Sequence, residues 1–378
     1  MNSIRVGITG YGYWGPNLAR NFHEITSSDL IAVADLNEER LKQCQTKYPH
    51  VKASKEYHDL FGMGLDAVVV ATPPATHFAI AKDSLEHNLH VLVEKPMTLN
   101  SQQGEELIAL AKSKGLILMV GHTFEYNSAV HALKKYIDSG DLGEIYYVDA
   151  ARLNLGLFQR DSNVLWDLAP HDISILLYLL GQNPISVGAR GMSCVSDNVY
   201  DVAYLNLVFP NNVSANIHLS WLDPCKVRRI TVVGSKKMVV YNDIEVEQKI
   251  RIYDKGVDMP EYTNGFGEFH YNYRSGDITI PKIHFVEPLQ RECQTFIKNC
   301  ARSRNGNGQS GEGEFVDSNP VETTQNPFVC NIDPMCHECD ASDTGIYSCG
   351  RDGLRVIKIL EAAQRSLSNL NNMEVLSW

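Results

Sequence analysis

The chain has 378 residues, of which 44% are apolar and 21% charged, a composition typical of a globular protein with about two domains. Its formal net charge is −11 and it has no concentrated basic stretch, which excludes nucleic acid as the expected partner. The longest clean apolar run covers only residues 173–180, and the start MNSIRVGITG lacks the apolar segment of a secretory leader. We therefore expect a cytoplasmic protein without a membrane partner.

Short apolar runs alternate with helical patterns over the first third of the chain. The runs IRVGIT, LIAVAD, DAVVVAT, HVLVEKP and LILMVG are nearly continuous in apolar residues, which is typical of parallel strands covered on both faces. The segments between them, such as WGPNLARNFHEI and SQQGEELIALAKSKG, have helical periodicity. This pattern predicts an α/β fold with a Rossmann doubly wound parallel sheet over residues 1–122.

From about Val148 the predicted strands become longer and alternate in polarity, as in VDAARLNLGLF, VAYLNLVF, SANIHLSWL, RRITVVG and QKIRIYD. Turn signals such as PNN and GSKK separate them, which favours a mostly antiparallel sheet. Helical patterns begin near Asp167 and Glu287, and the run GLRVIKILEAAQRSL predicts a last helix. Residues 123–378 are thus predicted to form a second, α+β domain with a large open sheet.

Residues 303–350 interrupt this second domain. Their first half is rich in Gly, Asn, Ser and Pro, which predicts a flexible surface insertion. Four cysteines follow at irregular spacing: Cys330, Cys336, Cys339 and Cys349. Either these cysteines bind a structural zinc ion or they bind no metal, and we predict no metal in the reaction. The other five of the nine cysteines stand singly in apolar-patterned segments, which indicates free thiols.

The sequence GYGYWG, at residues 10–15, lies between the first predicted strand and the first predicted helix. Gly10 permits a tight turn, Gly12 lets the backbone approach a pyrophosphate, and Gly15 permits close packing of the helix on the strand. The helix N-terminus adds N–H groups that suit phosphates. An ordinary strand-to-helix turn is the alternative for this motif alone.

Asp35 strengthens the case for a dinucleotide. It ends the second predicted strand 20 residues after Gly15, where a carboxylate can accept hydrogen bonds from the adenosine ribose, although it can also cap a helix. The carboxylate would repel a 2′-phosphate, and the following Leu36 and Asn37 supply no cation. NAD is therefore favoured over NADP as the cofactor, with Arg40 as a cation that the site can recruit.

Three further residues suit proton transfer. Lys95 follows the strand HVLV, and a lysine beside a nicotinamide can assist removal of a hydroxyl proton. Asp167 and His171 are four residues apart on a predicted helix, where a carboxylate can fix the tautomer of an imidazole. The structural alternatives are a solvated Lys95, an Asp167 that caps the helix and a His171 that is satisfied in the core.

Together these residues resemble the Gfo/Idh/MocA family, the glucose-fructose oxidoreductase and inositol dehydrogenase group. The resemblance rests on GYGYWGPN, ATPPATH, EKP, WDLAPHD and EPL and covers nearly the whole chain outside 303–350. It implies an NAD-dependent oxidoreductase of a ring hydroxyl, and a homodimer or homotetramer formed through the C-terminal sheet. The motif variants are most similar to the nucleotide-sugar branch, which implies a UDP-N-acetylhexosamine-type 3-dehydrogenase, with an inositol or free-sugar dehydrogenase as the alternative.

The resemblance also implies roles for individual residues. Lys95, Asp167 and His171 match the family's catalytic positions. The expected cofactor contacts are Gly10, Gly12, Tyr13, Trp14, Gly15, Asp35, Thr72, Pro73, His77, Glu94 and Lys95. The expected substrate contacts, by position only, are His122, Arg152 and Asn154. A dinucleotide-binding sensor is the alternative from a different class, but it would not need a proton relay.

Overall fold

The structure is a computed structural model, and it describes residues 3–158, 162–195, 197–258, 271–305, 348–369 and 371–378. The chain forms two compact units. The first is Met1–Thr123 with Leu289–Leu354, and the second is Phe124–Pro288 with Arg355–Trp378. Most of the predicted insertion lies outside the described residues, together with Cys330, Cys336 and Cys339.

The first unit contains a six-stranded sheet. Its strands are β1 (Ile4–Thr9), β2 (Ser28–Ala34), β3 (Lys52–Ser54), β4 (Ala67–Val70), β5 (His90–Glu94) and β6 (Leu118–Gly121). All five pairings are parallel, in the order β3-β2-β1-β4-β5-β6. The predicted Rossmann sheet is confirmed. Its strand order reverses beside β1, where a crevice opens at the carboxyl ends of the strands.

Four helices connect these strands. They are α1 (Gly15–Glu24), α2 (Glu38–Lys47), α3 (Pro74–Glu86) and α4 (Ser101–Lys114). The side chains of Asn37 and Asn100 cap α2 and α4 by accepting hydrogen bonds from first-turn N–H groups. By contrast, α1 begins with neither a capping side chain nor an acidic residue in its first turn. The N-terminus of α1 therefore keeps its positive potential.

The second unit contains a nine-stranded sheet. Its strands are β7 (Ile145–Leu155), β8 (Ser186–Met192), β9 (Val202–Val208), β10 (Ser214–Ser220), β11 (Leu222–Gly234), β12 (Met238–Asn242), β13 (Ile250–Asp258), β14 (Asn272–Thr279) and β15 (Glu374–Val375). They lie in the order β14-β13-β12-β11-β7-β10-β9-β8-β15, and among these strands only β7 and β10 pair in parallel. The predicted mostly antiparallel sheet is confirmed.

Helices α5 (Ser128–Asp138) and α6 (Val164–Leu180) pack against one face of this sheet. The start of α6 differs from the expectation, because the Asn163 side chain accepts a hydrogen bond from the N–H of Trp166 and begins the helix three residues before Asp167. Asp167 is therefore not the cap. Pro170 lies in the second turn of α6, where its missing N–H leaves one interior carbonyl without its usual donor.

The last two helices are α7 (Pro288–Asn305) and α8 (Gly350–Ser368). Although α7 follows the second sheet in sequence, it belongs almost wholly to the first unit, where Phe296 meets Phe22 edge to face at 6.3 Å. The first division falls after Thr123, one residue from the expected boundary, but the chain returns to the first unit at Leu289–Leu354, a segment that we had expected in the second domain. The first turn of α8 also lies there, and the rest of α8 packs in the second unit.

Cys349 is buried beside β6, where it forms an isolated antiparallel bridge with Met119. Within the described residues, no group of three or more His, Cys, Asp or Glu side chains could hold a metal ion. Across the same part of the chain, no helix is both long and apolar enough to cross a membrane.

Candidate active site

A cavity of about 790 Å³ opens at the carboxyl ends of β1, β2 and β4. The predicted cofactor contacts that line it are Gly10, Gly12, Tyr13, Trp14, Asp35, Thr72 and Pro73. Arg40, Lys55, Tyr57 and Thr76 also line it. Of these four, the sequence had indicated only Arg40: Lys55 and Tyr57 belong to no motif, and Thr76 lies in ATPPATH without a signal that separates it from its neighbours.

The three glycines of the motif differ in what surrounds them. Gly10 has a φ of 92°, and a Cβ there would lie 2.4 Å from the carbonyl oxygen of Ala71. A Cβ on Gly15 would lie 2.4 Å from the carbonyl oxygen of Gly10. At Gly12 the nearest atom to a Cβ would be the Arg40 guanidinium, at 3.6 Å. Backbone packing therefore requires Gly10 and Gly15, whereas Gly12 leaves open space beside the cavity.

Asp35 fixes the shape of the glycine-rich loop. Its Oδ2 accepts a hydrogen bond from the N–H of Tyr11 at 2.6 Å, and its Oδ1 accepts one from the N–H of Asn37 at 2.8 Å. The Arg40 Nη1 lies 3.6 Å from Oδ2. A buried carboxylate in the cavity, next to an uncapped helix N-terminus, fits a dinucleotide: the N–H groups of α1 suit its phosphates, and Asp35 suits its ribose.

His77, an expected cofactor contact, is buried and connects two loops instead of lining the cavity. Its Nε2 lies 2.7 Å from the carbonyl oxygen of Thr72, after β4. Its Nδ1 lies 2.8 Å from the carbonyl oxygen of Pro96, after β5. Burial lowers the pKa of His77, although the two carbonyl contacts oppose the shift. Its contacts join the loop that carries Lys95 to the loop that lines the cavity.

The surroundings of Lys95 include a buried pair of glutamates. Glu94 ends β5, and Gly121 leaves room for its carboxyl, since a Cβ there would lie 3.0 Å from Oε2. Burial raises the pKa of Glu94 to about 7, although the charge of Lys95 opposes the shift. Burial and the charge of Glu94 raise the pKa of Glu292 well above its usual range, and the Thr123 hydroxyl opposes this only in part. Glu292 is therefore protonated at neutral pH.

His122, an expected substrate contact, is buried in the same unit. Neither of its ring nitrogens has a hydrogen-bond partner within the described residues. Burial, assisted by the charge of Lys95, lowers the pKa of His122 to about 3. A neutral imidazole with both nitrogens available therefore lies within the electrostatic field of Lys95.

The other expected site residues belong to the second unit. Asp167 accepts a hydrogen bond at Oδ2 from the indole Nε1 of Trp221, at 3.0 Å. His171 lies one turn later on α6. Arg152, an expected substrate contact, is buried on β7 and paired with an aspartate, while Asn154 is half-buried on the same strand.

Two family models match the chain. The oxidoreductase family with an NAD-binding Rossmann fold, Gfo/Idh/MocA, matches residues 4–122, and the Gfo/Idh/MocA C-terminal domain matches residues 130–240. Together they cover more than half of the chain. The chain belongs to the Gfo/Idh/MocA family. It is accordingly an oxidoreductase with an NAD-binding Rossmann domain.

Other members of the Gfo/Idh/MocA family are similar over most of their length. The UDP-N-acetylglucosamine 3-dehydrogenase of Acidithiobacillus ferrooxidans is 29% identical over 68% of this chain and 79% of its own. The myo-inositol 2-dehydrogenase of Thermotoga maritima is 26% identical over 78% of this chain and 88% of its own. The crystal structure of the WlbA dehydrogenase from Bordetella pertussis with NADH and UDP-GlcNAcA has a TM-score of 0.71 and 19% identity, with 100% of both chains covered. This last likeness shows the fold.

The first prediction concerns the choice of cofactor. Wild-type protein is expected to bind NADH at least about tenfold more tightly than NADPH, because Asp35 repels a 2′-phosphate. Asp35→Ser with Leu36→Arg should reverse the preference, since the new arginine and Arg40 can then pair with the phosphate. Fluorescence titration measures both affinities, with the exposed Asp29→Ser as control. Tighter binding of NADPH by the wild type would contradict the ribose assignment of Asp35.

The second prediction concerns the buried glutamates. A carboxyl whose pKa is raised by folding stabilises the protein fully below its unfolded pKa, and this stability is lost as the pH rises through the folded pKa. Glu292→Gln removes one such group while keeping its shape. The variant should therefore match the wild-type Tm at pH 5 and exceed it by about 3 °C or more at pH 9.

Differential scanning calorimetry across this pH range tests the second prediction. The control is Glu86→Gln, an exposed glutamate of α3 in the same unit. If the Tm of the wild type and that of Glu292→Gln changed in parallel with pH, Glu292 would not titrate as its burial requires.

Proposed function

We propose that the protein is an NAD-dependent dehydrogenase that transfers hydride between nicotinamide and a ring hydroxyl or ketone of a sugar or nucleotide-sugar. The proposal rests on one observation. This chain belongs to the family, has an NAD-binding unit, and has a lysine on the loop after β5 and an Asp–His pair one turn apart on α6. NAD, when bound, supplies the hydride acceptor. The chain's own side chains must then handle the proton.

The proton roles follow from the surroundings of each group. Lys95 of the first unit and His171 of the second are each proposed as an acid/base residue, because an imidazole exchanges protons near neutral pH and an ammonium group can polarise a carbonyl. Asp167 is the proposed support of His171, and the indole of Trp221 holds its carboxylate. The same three residues favour turnover over a sensor, which would bind cofactor without moving a proton.

The substrate class is proposed from the relatives. A UDP-N-acetylglucosamine 3-dehydrogenase is 29% identical over most of both proteins, which supports a UDP-N-acetylhexosamine as the first candidate. An inositol dehydrogenase is similar over a longer stretch at 26% identity, which supports a cyclitol as the second candidate. A nucleotide-sugar requires space for its diphosphate and hydrogen-bond donors to it. An inositol has no diphosphate and requires no such site.

We also propose that subunits associate through the open face of the second sheet in the cytoplasm. Tyr147 and Tyr204 are exposed on the face opposite the helices, and Tyr204 stacks on His218 of the neighbouring strand with ring centroids 4.3 Å apart. Large aromatic side chains exposed on one face of a sheet favour burial against a second copy.

The third prediction tests Lys95. Lys95→Met should retain NADH binding and lose at least about a hundredfold in kcat, the usual scale for an acid/base group. The matched control is Lys82→Met, which removes a lysine paired with Glu106 on the surface of the same unit and should leave kcat within about twofold.

Steady-state kinetics with UDP-N-acetylglucosamine, its uronate, myo-inositol and glucose, followed at the reduced-nicotinamide absorbance band, measures these effects. Nucleotide-sugars are expected to give the highest kcat/KM. NAD binding without turnover of any member of the panel would contradict the proposal and favour the sensor. Turnover of inositol alone would replace the first substrate candidate by the second.

A further inference from the structure

Arg152 has surroundings that a substrate contact does not require. It lies on β7, and only 6% of its side chain is exposed. Its Nε donates to Asp172 Oδ2 at 2.6 Å and its Nη2 to Oδ1 at 3.2 Å, which is a two-point ion pair with a carboxylate that is 2% exposed. A guanidinium removed from water in this way is held in one orientation by its partner.

The same guanidinium also contacts an aromatic ring. Its Cζ lies 4.6 Å from the ring centroid of Phe124, within the range of a cation–π contact. Phe124 also contacts His171, whose ring centroid is 5.1 Å away with an interplanar angle of 69°, and the Cζ of the more exposed Arg228 lies 5.8 Å from its ring centroid. Phe124 therefore links the buried guanidinium to the imidazole that the proposed function uses.

These contacts form a closed circuit within the second unit. Arg152 pairs with Asp172, Asp172 is joined to His171 by a peptide bond, His171 meets Phe124, and Phe124 meets Arg152. A rotation of the His171 side chain therefore has to disturb Phe124, and a shift of this turn of α6 has to disturb the ion pair. One buried cation opposes both movements.

We propose that Arg152 is a positioning residue for His171, acting through Asp172 on the helix and through Phe124 on the ring, and that it does not contact the substrate. The proposal rests on the proposed function, in which His171 exchanges a proton with the substrate. It assigns the same task to Phe124, which lies in no motif, and to Asp172, the last residue of WDLAPHD.

Two variants break the circuit at different points. Phe124→Leu removes the aromatic link and leaves the ion pair intact. Arg152→Met with Asp172→Leu replaces the ion pair by apolar side chains, which avoids an unpaired buried charge and commonly preserves folding. The control is Phe209→Leu, a substitution of another buried phenylalanine of the same unit that is not part of the circuit.

Kinetics separates positioning from substrate contact. Both circuit variants should lower kcat by about tenfold or more, because a displaced acid/base group loses its alignment, while the sugar KM stays within about threefold. Phe209→Leu should keep the wild-type kcat. A large rise in KM with unchanged kcat in the Arg152→Met, Asp172→Leu variant would identify Arg152 as a substrate contact and overturn the proposal.

NMR of histidine-labelled protein tests the circuit without any turnover. The His171 ring signal is assigned by its loss in His171→Gln, and its titration midpoint is followed with pH. Both circuit variants should shift this midpoint or broaden the signal, whereas the control should not. An unchanged His171 signal in both circuit variants overturns the positioning role. Absence of turnover in the wild type contradicts the proposed function instead.

Discussion

The hydrogen bonds of the Asp35 carboxylate are the contacts on which the cofactor cavity depends. One oxygen accepts from the glycine-rich loop at Tyr11 and the other from Asn37, which itself caps α2. The same carboxylate lines the cavity and carries the charge that opposes a 2′-phosphate. Loop shape and cofactor choice thus depend on one buried side chain. The uncapped N-terminus of α1 contributes because the loop directs it toward the cavity.

Buried ionisable groups also surround the residues assigned to proton transfer. In the first unit, Glu292 stays protonated beside Glu94, so that only one negative charge is close to Lys95 at neutral pH. In the second unit, Arg152 is neutralised in a two-point pair. Isolated ions would be costly in these interiors, and their pairing or protonation offsets that cost. Glu292 and Arg152 therefore each keep one charge state at neutral pH, whereas Glu94, with a pKa of about 7, titrates there.

Local sequence patterns predicted the elements whose signals are local. The apolar runs of β1, β4, β5 and β6 identified a covered parallel sheet, and the glycine spacing identified the loop before α1. The three-residue β3 and the glycine-containing β8 have too little apolar pattern to be recognised. Long-range contacts were also missed. Nothing near Glu292 in sequence indicates that α7 packs with the first unit, and nothing near Arg152 indicates an ion pair with Asp172.

The proposed function depends on hydride transfer from a ring carbon of a sugar to NAD. The most direct measurement uses UDP-N-acetylglucosamine deuterated at carbon 3, with mass spectrometry of the nicotinamide after turnover. Each reduced nicotinamide is then expected to carry one deuterium. Reduced nicotinamide that stays free of deuterium with every ring-deuterated sugar or inositol, or no reduced nicotinamide from any of them, would contradict hydride transfer from a ring carbon.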